Sequence, residues 1–156
     1  MMAVLGIDIG GSGIKGAPVN VETGEFLQER IRIPTPEPGT PEQVIEVIKH
    51  IVSEFKWQGK IGVGFPGVVR RGVVTTAANV APEWVGTDVA AMIESHTGCP
   101  AVILNDADAA GLAEMRFGSG KRFEDSYVIF LTVGTGIGSA FFMKRELWPN
   151  TELGHL

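Results

Sequence analysis

Near the N-terminus an acidic side chain, Asp8, precedes the run Gly10-Gly11-Ser12, and Lys15 follows shortly after. A turn of glycines with one hydroxyl lets bare backbone N–H groups approach phosphate oxygens without Cβ crowding. A nearby lysine meets the phosphate charge, and a carboxylate can hold Mg2+ through water. A second turn of the same kind, Gly134-Thr135-Gly136, lies far along the chain. Each turn alone reads better as an ordinary hairpin. Two of them, both carrying hydroxyls, favour phosphate binding and are compatible with a duplicated sheet unit.

Asn105-Asp106 follows an apolar run and precedes an Ala-rich one, which places it where a buried strand ends and a helix begins. Functional side chains in α/β proteins gather at such strand ends. Asp106 there can take a proton from a substrate hydroxyl. The same residue type is also an excellent helix N-cap, and viewed alone Asp106 reads as a cap more often than as a base. Asp108 reads as a first-turn acid that complements the helix dipole. Glu152 and His155 could read hydroxyl groups as a polar pair, or could belong to a frayed tail. Two such residues do not make a zinc site. Arg70-Arg71, Lys121-Arg122 and Lys144-Arg145 read as solvated turn charges, suited to a polyanion if they share a groove.

Gly11/Gly13/Gly16 and Gly62/Gly64/Gly67 both satisfy G-x-G-x-x-G, but each leads into a strand-like run rather than a helix, and the second contains Pro66. A dinucleotide fingerprint needs the helix, whose N-terminus faces the pyrophosphate. A P-loop is absent too: Gly59-Lys60 and Gly120-Lys121 lack the following Ser or Thr.

These residues have to be positioned by a mixed set of elements. Apolar runs predict strands over 4–9, 14–19 and 26–33, joined by tight turns as an antiparallel meander. Thr40-Pro41-Glu42-Gln43 is a helix start with a capping-box spacing, and a helix of about 16 residues should follow. Val44, Ile48, Ile51 and Phe55, with Ile45 and Val52, make its packing stripe. Further strands are predicted over 61–65, 101–104, 127–133 and 139–143, a small hairpin over 68–74, and helices over 87–98 and 106–117. Strands in a meander, then strands alternating with helices, make an α/β protein.

The chain of 156 residues is 44% hydrophobic and 20% charged, with 21 glycines, which excludes a disordered composition. Its longest apolar run falls far short of the roughly 20 residues of a membrane span, and no signal-like segment opens it, so a cytoplasmic protein is expected. Cys99 is the single cysteine, which rules out an internal disulfide within these residues. A net charge of −5 speaks against non-specific nucleic-acid binding.

Four segments occur in one order: Gly6-Ile7-Asp8-Ile9-Gly10-Gly11-Ser12, Leu104-Asn105-Asp106-Ala107-Asp108-Ala109-Ala110, Thr132-Val133-Gly134-Thr135-Gly136-Ile137-Gly138 and Glu152-Leu153-Gly154-His155. Together they resemble the ROK family of sugar kinases and repressors. Gly64-Phe65-Pro66-Gly67-Val68-Val69 and Ala77-Ala78-Asn79-Val80 are similar to its polyphosphate glucokinase branch, which includes members that also use ATP. The resemblance implies an actin-like ATPase, ribonuclease H-like fold with two lobes closing over the sugar. Residues 1–118 would form the first lobe, and residues 119–156 the opening hairpin of the second.

By the same resemblance, Asp106 takes the proton from the glucose 6-hydroxyl, and Asn79, Asn105, Glu152 and His155 hydrogen-bond the sugar. Gly10, Gly11, Ser12, Lys15, Gly134, Thr135 and Gly136 hold the phosphoryl donor, polyphosphate or ATP, with Mg2+ near Asp8. A homodimer is implied as well. Family members continue beyond the Glu-x-Gly-His segment with the rest of the second lobe, so the isolated chain is expected to have little or no kinase activity. The family's repressors carry a DNA-binding segment ahead of the sugar domain, and because the first strand here starts within a few residues of Met1, a repressor is not expected.

Overall fold

Alternation along Ala3–Ile9 (β1) sends Leu5, Ile7 and Ile9 into the core and leaves Asp8 on the opposite face. The structure, a computed structural model, describes residues 2–77, 80–133, 136–151 and 153. Strand β1 pairs antiparallel with Ile14–Asn20 (β2), which pairs antiparallel with Ile31–Ile33 (β3). On its other side β1 runs parallel to Ile61–Phe65 (β4). Ala101–Asn105, which is β7 in chain order, adds parallel to β4 and closes the order β3-β2-β1-β4-β7. Between β4 and β7 lies a two-stranded hairpin of Val69–Arg70 (β5) and Val73–Val74 (β6).

The third strand is shorter than its sequence suggests. Phe26 makes an isolated bridge to Val19, and Phe26 and Leu27 face solvent, so bulky residues that look strand-like lie outside the ladder until Ile31.

Helix α1 (Pro41–Glu54) starts at a complete capping box, with Gln43 N–H bonded to the Thr40 hydroxyl and the Gln43 side chain returning to Thr40 N–H. Val44, Ile45, Ile48, Ile51 and Val52 are buried against the sheet, as the helical spacing predicts. Helix α2 (Val89–Thr97) is capped by Asp88 and ends at Gly98, whose φ of 72° is left-handed backbone that glycine takes without a Cβ penalty. Both helices join one core with Leu5, Ile7, Ile61, Val63, Phe65 and Ile103, and Trp84 closes it.

Helix α3 (Asp106–Phe117) follows β7 with no intervening residue. Its far half packs on a second, antiparallel sheet of Tyr127–Val133 (β8), Ile137–Met143 (β9) and Glu146–Trp148 (β10), where Met115 meets Ala140 and Phe142. Sequence reasoning missed β10 because Lys144 and Arg145 turn the chain at positive φ without a glycine. Close approach needs Gly111: a Cβ there would lie 2.8 Å from the Phe142 ring and 3.1 Å from Ala140 Cβ. The face of β8 turned away from α3 exposes Tyr127, Ile129, Leu131 and Val133.

Candidate active site

The pairing register brings the candidate residues together. Lys15 on β2 lies opposite Asp8 on β1, Asp8 opposite Gly64 on β4, and Gly64 opposite Leu104 on β7. Cross-strand partners share a face, so this row points to the side away from α1 and α2. Lys15 Nζ donates to Asp8 Oδ2 at 3.0 Å, with both side chains partly exposed. Because residue 64 is glycine, nothing fills the space between Asp8 and Asp106. A cavity of about 460 Å³ opens there, lined by Asp8, Lys15, Gly64, Leu104, Asp106 and Ala110.

Asp106 is not the cap of α3. Asn105 takes that role: its Oδ1 accepts from the N–H of Ala107 at 2.9 Å and of Asp108 at 3.2 Å. Its Nδ2 donates to Gly67 O at 3.1 Å, and the side chain is 5% exposed. Asp106 is the first helical residue, and its Oδ1 accepts from Ala107 N–H at 2.8 Å. The carboxylate is thus held at the helix N-terminus, beside the partial positive charge of the first backbone N–H groups.

Asn105→Ala tests how far this cap sets the site. It is expected to cost about 1–2 kcal/mol for the lost cap and about 1–3 kcal/mol for the unpaired Gly67 carbonyl. Urea unfolding checks the sum, and a loss below about 1 kcal/mol would show that the cap is dispensable.

The first loop is closed by Gly10 N–H on Gly13 O at 3.1 Å. Two residues that sequence reasoning did not single out touch it from the edge of the sheet: Arg32 bonds Ser12 O and Thr35 bonds Gly10 O. Lys15 pairs with Arg32 in the β2–β3 register, but no periodicity in the chain announces either contact.

Asp108, a first-turn acid of α3 as its sequence suggests, is 3% exposed, and its Oδ2 accepts from Asn150 N–H at 3.5 Å. It therefore ties α3 to the segment after β10. Buried Ser139 holds that segment as well, donating to Thr151 O at 2.6 Å and accepting from Leu153 N–H at 2.9 Å. Gly136 immediately precedes β9. Asn79, Gly134, Thr135, Glu152 and His155 lie outside the described residues.

Among the described residues no group of three or more His, Cys, Asp or Glu side chains gathers into a metal cage. Mg2+ does not need one, since it binds through one or two carboxylates, retained waters and substrate phosphates. A partly exposed Asp8 at a cavity beside a glycine loop fits that donor set.

A family model described as the ROK family matches residues 4–156. The chain belongs to the ROK family. Over 152 residues, 97% of the chain, it is 53% identical to the polyphosphate glucokinase of Mycobacterium tuberculosis, covering 57% of that protein. The inorganic polyphosphate/ATP-glucomannokinase of an Arthrobacter species superposes with a TM-score of 0.94 at 47% identity, over all of this chain and 64% of the other. A ROK family glucokinase of Streptomyces griseus, in complex with glucose and AMPPNP, superposes with a TM-score of 0.81 at 33% identity over 94% of this chain and 46% of the other. The chain thus spans little more than half the length of the polyphosphate glucokinase it matches. The mixed sheet with its helices is the actin-like, ribonuclease H-like α/β fold of this ROK group. Among the described residues no helix is long and apolar enough to cross a membrane.

Proposed function

We propose that these residues form the first lobe, and the beginning of the second, of a glucokinase. It transfers a phosphoryl group from inorganic polyphosphate, with ATP as a second donor, to the 6-hydroxyl of glucose. The observation that carries this reading is the placing of Asp106 across an open cavity from the Asp8–Lys15 pair, in a chain 53% identical to a polyphosphate glucokinase. Asp106 lies over Gly64, whose missing Cβ would fall 3.6 Å from the Asp106 Cα, and Gly64 is the strand neighbour of Asp8, so the base and the Asp8–Lys15 pair border the same open space.

In the reaction, the glucose O6 lone pair forms the new P–O bond as its proton passes to the Asp106 carboxylate. The P–O bond to the donor breaks, and the electron pair leaves on a shortened polyphosphate or on ADP. Gly10, Gly11 and Ser12 offer small groups to the donor phosphates, Lys15 offsets their charge, and Gly134, Thr135 and Gly136 do the same from the second lobe. Mg2+ beside Asp8 would spread the charge that develops on the transferred group. Positioning supplies the rest, because phosphoryl transfer asks little covalent chemistry of the protein.

Asn79, Glu152 and His155 bind the sugar hydroxyls in this reading, and Asn105 contributes its second amide proton, since one is committed to Gly67. The lobes divide at residue 118, with α3 as connector. The enzyme is a cytoplasmic homodimer, a setting consistent with the buried free thiol of Cys99.

Glucose 6-phosphate formation by the full-length protein, assayed with polyphosphate and ATP separately, tests the proposal. Product with both donors, or with polyphosphate alone, is expected. Product with ATP alone would make this an ATP-dependent hexose kinase, and none with either would overturn the assignment. The 156-residue chain alone should give little or no product.

A further inference from the structure

The β1–β2 loop is gripped by two residues from outside the glycine run. Thr35 Oγ1 donates to Gly10 O at 2.5 Å, and Arg32 Nη2 donates to Ser12 O at 2.9 Å. Gly13 O is occupied by Gly10 N–H. In a trans peptide plane the carbonyl and the following N–H point in opposite directions. Tying Gly10 O to Thr35 therefore turns the Gly11 N–H away from Thr35. Tying Ser12 O to Arg32 turns the Gly13 N–H away from Arg32 in the same manner.

We propose that Arg32 and Thr35 are positioning residues that aim the loop's N–H groups at the terminal phosphates of a phosphoryl donor. This rests on the phosphoryl-transfer reading of the site. The alternative for a glycine turn is to sample many backbone states, each with its N–H groups pointing differently. Two side-chain bonds to its carbonyls remove that freedom before the ligand arrives, so binding need not supply the ordering.

The register makes the grip specific. Asp8 faces Lys15 and Lys15 faces Arg32, so the guanidinium ends one charged row across β1, β2 and β3 and lies along the loop. Gly13 leaves the room for it: a Cβ there would fall 2.8 Å from Arg32 Nε and 2.9 Å from Cζ. The guanidinium is the mobile end of its side chain, so Gly13→Ala should displace it rather than unfold the sheet. That gives a route to breaking the grip without touching Arg32 itself.

The test uses full-length protein carrying Thr35→Val, Thr35→Ser, Arg32→Gln or Gly13→Ala. Thr35→Val keeps the branched shape and removes the hydroxyl. It is expected to raise the donor KM about tenfold while the glucose KM and the melting temperature hold. Arg32→Gln and Gly13→Ala should give the same split, and Thr35→Ser should restore the parent values. In parallel, amide NMR of labelled full-length protein titrated with inorganic tripolyphosphate should show the Gly11 and Gly13 amides shifting in the parent, and needing about tenfold more tripolyphosphate to shift in Thr35→Val.

An unchanged donor KM in Thr35→Val and Arg32→Gln would overturn the proposal. So would a rise in both KM values together with a fall in melting temperature, the mark of a merely structural role. A parent protein that makes no product, yet whose two amides shift in a Thr35-dependent manner, would overturn the kinase reading and keep the grip. Inactivity with no such shift would overturn both.

Discussion

Asp106→Asn in the full-length protein is expected to lower turnover by about 10²–10⁴-fold, the range that a positioned general base supplies, while its unfolding curve stays close to that of the parent. The separation of effects follows from which residue does the capping. The α3 cap bonds come from Asn105, so the neighbouring substitution leaves them in place. The bond from Ala107 N–H to Asp106 Oδ1 can pass to the amide oxygen of Asn, which has the same shape. What disappears is a carboxylate able to accept a proton, together with a helix-dipole contribution of about 0.3–1 kcal/mol. Steady-state kinetics beside a urea melt decide the matter. Turnover within tenfold of the parent would remove Asp106 from the chemistry.

Trp84→Ala should bring the largest loss of stability, about 3–5 kcal/mol, as expected for truncating a buried aromatic. Trp84 is 1% exposed, and its ring sits 5.0 Å from that of Phe65 at a tilt of 59°. Its indole N–H also donates to Gly39 O at 2.9 Å, directly ahead of the α1 cap, and that carbonyl would lose its partner. Phe65 ends β4 opposite Asn105, so a cavity at Trp84 loosens the residue beside the α3 cap. Set against a typical domain stability of about 5–15 kcal/mol, this loss is a large fraction. Trp84→Phe keeps an aromatic ring in place of the indole and removes the N–H, and should cost less than half as much. Equal losses for the two variants would place the effect in the Gly39 bond instead of the packing.

Much of this architecture was legible because local and tertiary signals agree. The Thr40–Gln43 capping box starts α1, Gly98 stops α2, and the apolar runs of β1 and β4 alternate with residues that face the site. Where a signal depended on distant partners, the reading failed. Phe26 and Leu27 resemble strand residues but lie on an exposed approach to β3. Asp106 and Asn105 are both good caps, and the choice between them is made by the buried Gly67 carbonyl, which holds the Asn105 amide. Asp108 is the first-turn acid its sequence suggests, but its burial and its bond from Asn150 N–H were not foreseen, because that partner lies 42 residues further on. Thr35 and Arg32 were invisible for the same reason: their partners are carbonyls, which carry no residue-type signal.

The absence of any linker between β7 and α3 has a mechanical consequence. Asn105 is at once the last strand residue and the helix cap, so Asp106 is rigidly joined to the first sheet. Further along the same helix, Gly111 is pressed beneath Phe142 and Ala140 of the second sheet. The helix works as a shared axle, with the acid at one end and a bearing on the other body. Rotation between the two sheets is therefore left to the bearing at Gly111 or to a bend in α3 itself. A ligand that draws the two bodies together would load the same shaft that carries Asp106, the base proposed above, joining closure to chemistry without a separate relay.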